Sequence, residues 1–133
     1  MTRTGGCLCG AVRYTAEGEP EHHALCHCDD CRRWSGAPFS ACMAFQEDRV
    51  SVVGTPTDYR SSANVMRSFC GTCGTALFYR NPVVLPGIVD IQSATLDDPA
   101  ADPPGIEIMV KQRLAWLDDV PALPKFETYP GAD

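Results

Sequence analysis

No apolar run in this chain of 133 residues approaches the roughly 20 that a membrane-spanning helix needs. The opening MTRTGGCLCG lacks the apolar stretch that precedes a signal-peptidase site, so the expected location is the cytoplasm and no membrane partner is expected. Positive charge is scarce as well: 11 Lys and Arg stand against 17 Asp and Glu, for a formal net charge of -6. A domain that displaces counterions from phosphates needs a basic face, so nucleic acid is not an expected partner either. Helical periodicity is weak, and the chain holds neither a low-complexity tract nor a repeat beyond its paired cysteines. The length suits one domain, residues 1–133, with its own core.

What the sequence does hold is cysteine, eight in all. In an oxidising compartment eight would read as four disulfides, whereas in the cytoplasm metal is the better reading. The spacings agree with metal: C-x-C at Cys7 and Cys9, C-x-C-x-x-C at Cys26, Cys28 and Cys31, and C-x-x-C at Cys70 and Cys73, with Cys42 alone. Sulfurs so spaced can each lie about 2.3 Å from one zinc ion. Seven thiolates and two divalent ions would take the formal charge from -6 to about -9, which weakens the case for nucleic acid further.

Short apolar or alternating runs bounded by Gly, Pro, Asn or Asp recur along the chain, and they predict a mainly β protein. The expected strands are AVRYTAEG from Ala11, FSACMAF from Phe39, VSVVG from Val50, VMRSFC from Val65, TALFYR from Thr75, GIVDIQ from Gly87 and IEIMVK from Ile106. GTPTDYRSSAN and the proline-rich DDPAADPP are expected to be loops. DCRRW and RLAWLDD are long enough for a turn or two of helix.

Four ligands from one short loop strain the backbone, so cysteine pairs from distant segments should be matched. Cys7 and Cys9 with Cys70 and Cys73 would close a four-cysteine structural site and staple the N-terminal segment to a distant strand. In CGTCG, Gly71 and Gly74 would let backbone N–H groups approach the sulfurs. Cys26, Cys28 and Cys31 would then remain as a set of three, and three protein ligands with an open fourth position distinguish catalytic zinc from structural zinc. The competing match joins Cys28 and Cys31 to Cys70 and Cys73 and leaves Cys7, Cys9 and Cys26 as the odd set.

GGCLCGAVRY, CHCDDCRRWSGAPF, FCGTCGTALFY, ATLDDP and the closing WLDDVPALPKF resemble the signature segments of the glutathione-dependent formaldehyde-activating enzyme and centromere protein V family. The resemblance spans nearly the whole chain. It implies an Mss4-like β-tent of small antiparallel sheets around zinc sites. It also implies a structural zinc on Cys7, Cys9, Cys70 and Cys73, and a second, catalytic zinc on Cys26, Cys28 and Cys31 at which a thiol substrate takes the fourth position. One departure is Glu107, where the family commonly has a His before the segment IMVKQRLAW.

An open zinc can bind a substrate thiol, lower its pKa and so present a nucleophile to an aldehyde at neutral pH. With glutathione and formaldehyde the product would be S-hydroxymethylglutathione, and the reverse reaction would make the protein a carbon–sulfur lyase. Three thiolates weaken the Lewis acidity of the ion, which favours sulfur chemistry over hydrolysis. Arg32 and Arg33 follow Cys31 and are candidate ligands for the carboxylates of glutathione or another anionic thiol. His27 should point away from the ion between two ligands, Asp29 and Asp30 read as capping or solvent-facing, and His22 and His23 read as loop surface. Cys42 shares a strand face with Ser40 and Ala44 and reads as a small buried residue; were it a fourth ligand, both zinc sites would be closed. Trp34, Phe39 and Tyr79 read as core before pocket wall. The alternative function is a non-catalytic, zinc-stapled binding module on the Mss4-like scaffold. Dithiol redox chemistry lacks the strand-to-helix setting that activates a C-x-x-C pair. The residues give no sign of the oligomeric state.

Overall fold

The computed structural model describes residues 1–131. Ten strands form two sheets. The smaller sheet contains β1 (Thr2–Gly6), β2 (Arg13–Glu17) and β5 (Val50–Val53), antiparallel with β2 in the centre. The larger sheet also contains β3 (His22–Cys26), β4 (Ser40–Gln46), β6 (Thr57–Ser62) and β7 (Val65–Phe69). Its remaining strands are β8 (Ala76–Arg80), β9 (Ile88–Gln92) and β10 (Ile106–Ile108). β1 and β2 alternate buried and exposed side chains, while β4 and β9 are buried along nearly their whole length. The order is β10-β3-β4-β9-β8-β7-β6, antiparallel except that β10 runs parallel to β3 at one edge. A single α-helix among the described residues, α1 (Asp29–Ser35), follows β3.

The hydrophobic core unites the two sheets. Val12, Tyr14 and Ala16 of the smaller-sheet region cluster with Met43, Phe45, Phe78, Val89 and Ile91 of the larger sheet. Large side chains buried this deeply contribute roughly 1.5–3 kcal/mol each. In β4 the core takes Met43 and Phe45, while Cys42 and Ala44 are buried on the opposite face, so the strand is covered on both sides. A bulge in β8 opposite Ser68 and Phe69 leaves Leu77 as the extra residue and lets both Leu77 and Phe78 join the core. Within the smaller sheet, Gly5 of β1 lies opposite Tyr14 of β2, and a Cβ there would stand 2.3 Å from Tyr14 Oη and 2.6 Å from the Thr95 carbonyl.

Every run expected to be a strand contains one, and DDPAADPP is irregular. Two expected loops are strands. TDYRSS becomes β6, a mostly exposed edge strand that lacks an apolar face of its own and is ordered by its ladder with β7. His22 and His23 belong to β3, which pairs with β4 on one side and β10 on the other. The RLAWLDD region forms a 3-10 segment, Ala115–Ala122. No helix among the described residues is long and apolar enough to cross a membrane.

Candidate metal centres and the adjoining cavity

The four-cysteine cluster forms where two loops meet. Cys7 and Cys9 lie between β1 and β2, Cys70 and Cys73 between β7 and β8, and their sulfurs all lie within 4.8 Å of one another. A tetrahedron of sulfurs about 2.3 Å from an ion has edges of about 3.8 Å. Cys7 and Cys9 sulfurs stand 3.7 Å apart and those of Cys9 and Cys70 3.8 Å apart, so the donor set fits a tetrahedral ion.

Matching turns shape the two loops. Gly10 and Gly74 both adopt φ +83°, and their N–H groups donate to the carbonyls of Cys7 and Cys70. Thr75 ties the loops together: its Oγ1 accepts from the Leu8 N–H at 3.1 Å and lies 3.1 Å from Cys73 Sγ. That hydroxyl, with the Thr75 and Cys9 N–H groups, draws the Cys73 thiol down to about 5. At Cys9 the Ala11 N–H pulls downward, but desolvation and the neighbouring thiols push the group up to about 11. Four crowded sulfurs therefore do not all ionise together unaided, and a divalent cation would replace their remaining protons.

The three-cysteine cluster comes from one segment. Cys26 ends β3, Cys28 caps α1 and Cys31 lies in its first turn, with all three sulfurs within 4.8 Å of one another. Cys28 and Cys31 do therefore occupy a strand-to-helix junction, contrary to the expectation that no C-x-x-C pair has that setting. Cys28 Sγ accepts from the Cys31 N–H at 3.3 Å. The Cys31–Cys26 hydrogen bond lowers the pKa of Cys26 and raises that of Cys31, so the first proton leaves Cys26. Among the described residues, the competing association of Cys28 and Cys31 with Cys70 and Cys73 is not formed.

Cys42 packs against this cluster but stands outside the set of mutually close sulfurs. Gln92 Nε2 donates to its sulfur at 3.8 Å, while Gln92 Oε1 accepts from Ser40 Oγ, and burial pushes the Cys42 thiol up. His27 is 1% exposed; its Nε2–H donates to Glu107 Oε1 at 2.8 Å and its ring meets Phe39 edge-on. Glu107 thus holds His27 from β10.

The three-cysteine cluster opens into a cavity of about 430 Å³. Its floor is the coreless face of the larger sheet, and strand register sets what stands there. His22, Ala44, Asp90, Tyr79 and Arg67 face one another in a row across β3, β4, β9, β8 and β7. Ala44 leaves space between His22 and Asp90. Val84, Leu85, Ile108 and Met109 add apolar walls, and the chain turns at Met109 through a left-handed φ of 56°.

Arg32 and Arg33 lie on α1 and do not line this cavity. Arg32 pairs with Asp29 and donates Nε–H to the His27 carbonyl at 3.4 Å, while Arg33 is exposed. The guanidinium that does face the cavity is that of Arg67, 4% exposed. It lies between the faces of Trp34 and Tyr79, 5.1 and 5.0 Å from their centroids, with Nη1 3.8 Å from Cys31 Sγ and Nε donating to Ser61 Oγ. Arg67, Asp90 and His22 escape a reading based on motifs. The available signal was a lone charge inside an otherwise apolar strand, as in VMRSFC and GIVDIQ.

Residues 2–112 match the family model described as glutathione-dependent formaldehyde-activating enzyme. A fission yeast protein, "Uncharacterized lyase" of Schizosaccharomyces pombe, is 39% identical over 75 residues, which cover 56% of this chain and 55% of that protein. The chain thus spans little more than half of that relative. A "putative glutathione-dependent formaldehyde-activating enzyme" of Halomonas elongata is 25% identical over 128 residues, covering 89% of this chain and 81% of its own length. A crystal structure of a Rhodobacter sphaeroides protein superposes with a TM-score of 0.59 at 22% identity, over 78% of this chain and 97% of that one, and shares the fold.

Proposed function

Because the chain belongs to the glutathione-dependent formaldehyde-activating enzyme family, we propose that it is a zinc-dependent carbon–sulfur lyase that makes and breaks thiol–aldehyde adducts, with glutathione and formaldehyde as the first substrates to test. The observation that carries the reading is a cluster of three sulfurs, one short of a closed site, at the end of a cavity large enough for a small adduct. Zinc held there by Cys26, Cys28 and Cys31 would supply a Lewis-acidic position that keeps a substrate thiol ionised at neutral pH. The second zinc, on Cys7, Cys9, Cys70 and Cys73, would be structural.

The chain's own residues favour this chemistry. Arg67 places a fixed positive charge beside Cys31, which offsets the negative charge that thiolates gather there. Val84, Leu85, Ile108 and Met109 limit the water around the reacting carbon. Cys42, kept protonated by burial and engaged by Gln92, does not compete as a nucleophile. Arg32 and Arg33, on the helix beside the cluster, would meet the carboxylates of an acidic thiol that extends beyond the cavity. Unchanged glutathione affinity in Arg32→Ala and Arg33→Ala would remove that clamp and leave the lyase reading standing.

The test is exchange between formaldehyde and S-hydroxymethylglutathione at equilibrium, followed by NMR magnetisation transfer with and without the zinc-loaded protein. Exchange well above the uncatalysed rate supports a lyase, and an unchanged rate overturns it.

A further inference from the structure

The cavity floor carries an acid that the chemistry above leaves without a role. Asp90 is 5% exposed at the centre of β9, on the face opposite the core residues Val89 and Ile91. Among the described residues its Oδ1 has no hydrogen-bond partner: His22 Nε2 stands 3.2 Å away, within ion-pair distance but outside hydrogen-bond geometry. A buried polar atom without a partner costs folding free energy, and such costs concentrate where a group has work to do.

The neighbouring groups narrow the choice. Across the floor Asp90 is faced by His22 from β3, Cys42 from β4, Tyr79 from β8 and, beyond Tyr79, Arg67 from β7. Burial pushes the thiol of Cys42 and the phenol of Tyr79 upward, away from useful proton transfer at neutral pH. Arg67 is permanently charged and committed to Cys31 and Ser61. The walls formed by Val84, Leu85 and Met109 carry no charge. Burial raises the pKa of Asp90 above the ordinary carboxylate range, with His22 pulling the other way.

We propose that Asp90 is the acid–base catalyst of the thiol–aldehyde reaction, giving a proton to the aldehyde oxygen as the carbon–sulfur bond forms and taking it back as that bond breaks. The proposal rests on the lyase reading. In the forward direction the electron pair of the substrate sulfur forms the new bond to carbon, the carbonyl π pair moves to oxygen, and the Asp90 proton passes to that oxygen. In reverse the Asp90 carboxylate removes the hydroxyl proton, the oxygen pair re-forms the carbonyl, and the bonding pair leaves with sulfur. His22, whose side chain is 28% exposed, links Asp90 to solvent and restores its protonation.

The test uses the full, zinc-loaded protein with glutathione and formaldehyde. Asp90→Asn is expected to lower protein-dependent exchange about 100-fold or more, the range of a lost acid–base group. Glutathione binding, read by native mass spectrometry, should stay within about twofold, and added formate should restore part of the rate. Infrared difference spectra of aldehyde-free protein labelled with carboxyl-13C aspartate should retain a protonated-carboxyl band above the pH at which ordinary aspartates ionise. Undiminished exchange in Asp90→Asn overturns the assignment and leaves the lyase in place. Absence of the wild-type infrared band also overturns it, whether or not the variant folds. No protein-dependent exchange in the wild type overturns the lyase reading and this assignment together.

Discussion

The four-cysteine cluster joins two loops some 60 residues apart in the chain, whereas the three-cysteine cluster is assembled between residues 26 and 31 and looks into a cavity. The donor atom is the same, so the difference lies in the surroundings. The first cluster has matching glycine turns and a threonine that binds both loops, and every tetrahedral position is supplied by the chain. The second has a buried arginine at one sulfur, an apolar wall and a row of polar side chains beyond. A ligand set that closes a long loop stabilises the fold, and one that leaves a position free beside a cavity can do chemistry.

Removing a sulfur from each cluster should give opposite results. Cys70→Ser removes a ligand that is 1% exposed and opens the closed set, so most of the stability contributed by metal, of order 10 kcal/mol in model zinc peptides, should be lost. Thermal unfolding followed by circular dichroism should show a melting temperature lowered by tens of degrees, or no cooperative transition. Cys31→Ser should instead leave a cooperative transition, lose the second zinc and abolish glutathione binding. A melting temperature as low as that of Cys70→Ser would erase the distinction.

Smaller changes sharpen it. Arg67→Gln removes a charge-assisted interaction at Cys31, which corresponds to roughly tenfold weaker thiol binding by isothermal titration, with the zinc count unchanged. The smallest effect concerns the sheet that carries the closed cluster. Arg13 and Thr4 hold the Asp97 carboxyl down at about 2, below the ordinary value of 3.8. A depressed carboxyl stabilises the folded state fully above its unfolded value, and the contribution disappears as the pH falls from about 3.8 toward 2. Asp97→Asn should therefore lower the melting temperature by about one or two degrees at neutral pH and leave it unchanged near pH 2.

Cysteine spacing made the two clusters legible because ligand geometry is local: C-x-C and C-x-x-C place sulfurs side by side in almost any loop. Short, nearly continuous apolar runs made β4 and β9 legible because each is buried on both faces. β6 was illegible because its six residues, TDYRSS, lack an apolar face and owe their order to β7. The cavity floor was illegible for a related reason. Asp90, Arg67 and His22 meet only through the register of five strands, and single-residue patterns do not encode which strands become neighbours. Arg32 and Arg33 directly follow a cysteine in the sequence, yet the helix carries them outside the cavity.

The contrast between a closed and an open cluster is tested most directly by native mass spectrometry of the zinc-replete protein with glutathione, repeated on Cys42→Ser. The account predicts two zinc ions in both proteins and one glutathione adduct, present only on species that carry the second zinc. Two zinc ions with no adduct, and one zinc lost from Cys42→Ser, would mean that both clusters are closed and would turn the reading toward a zinc-stapled binding module.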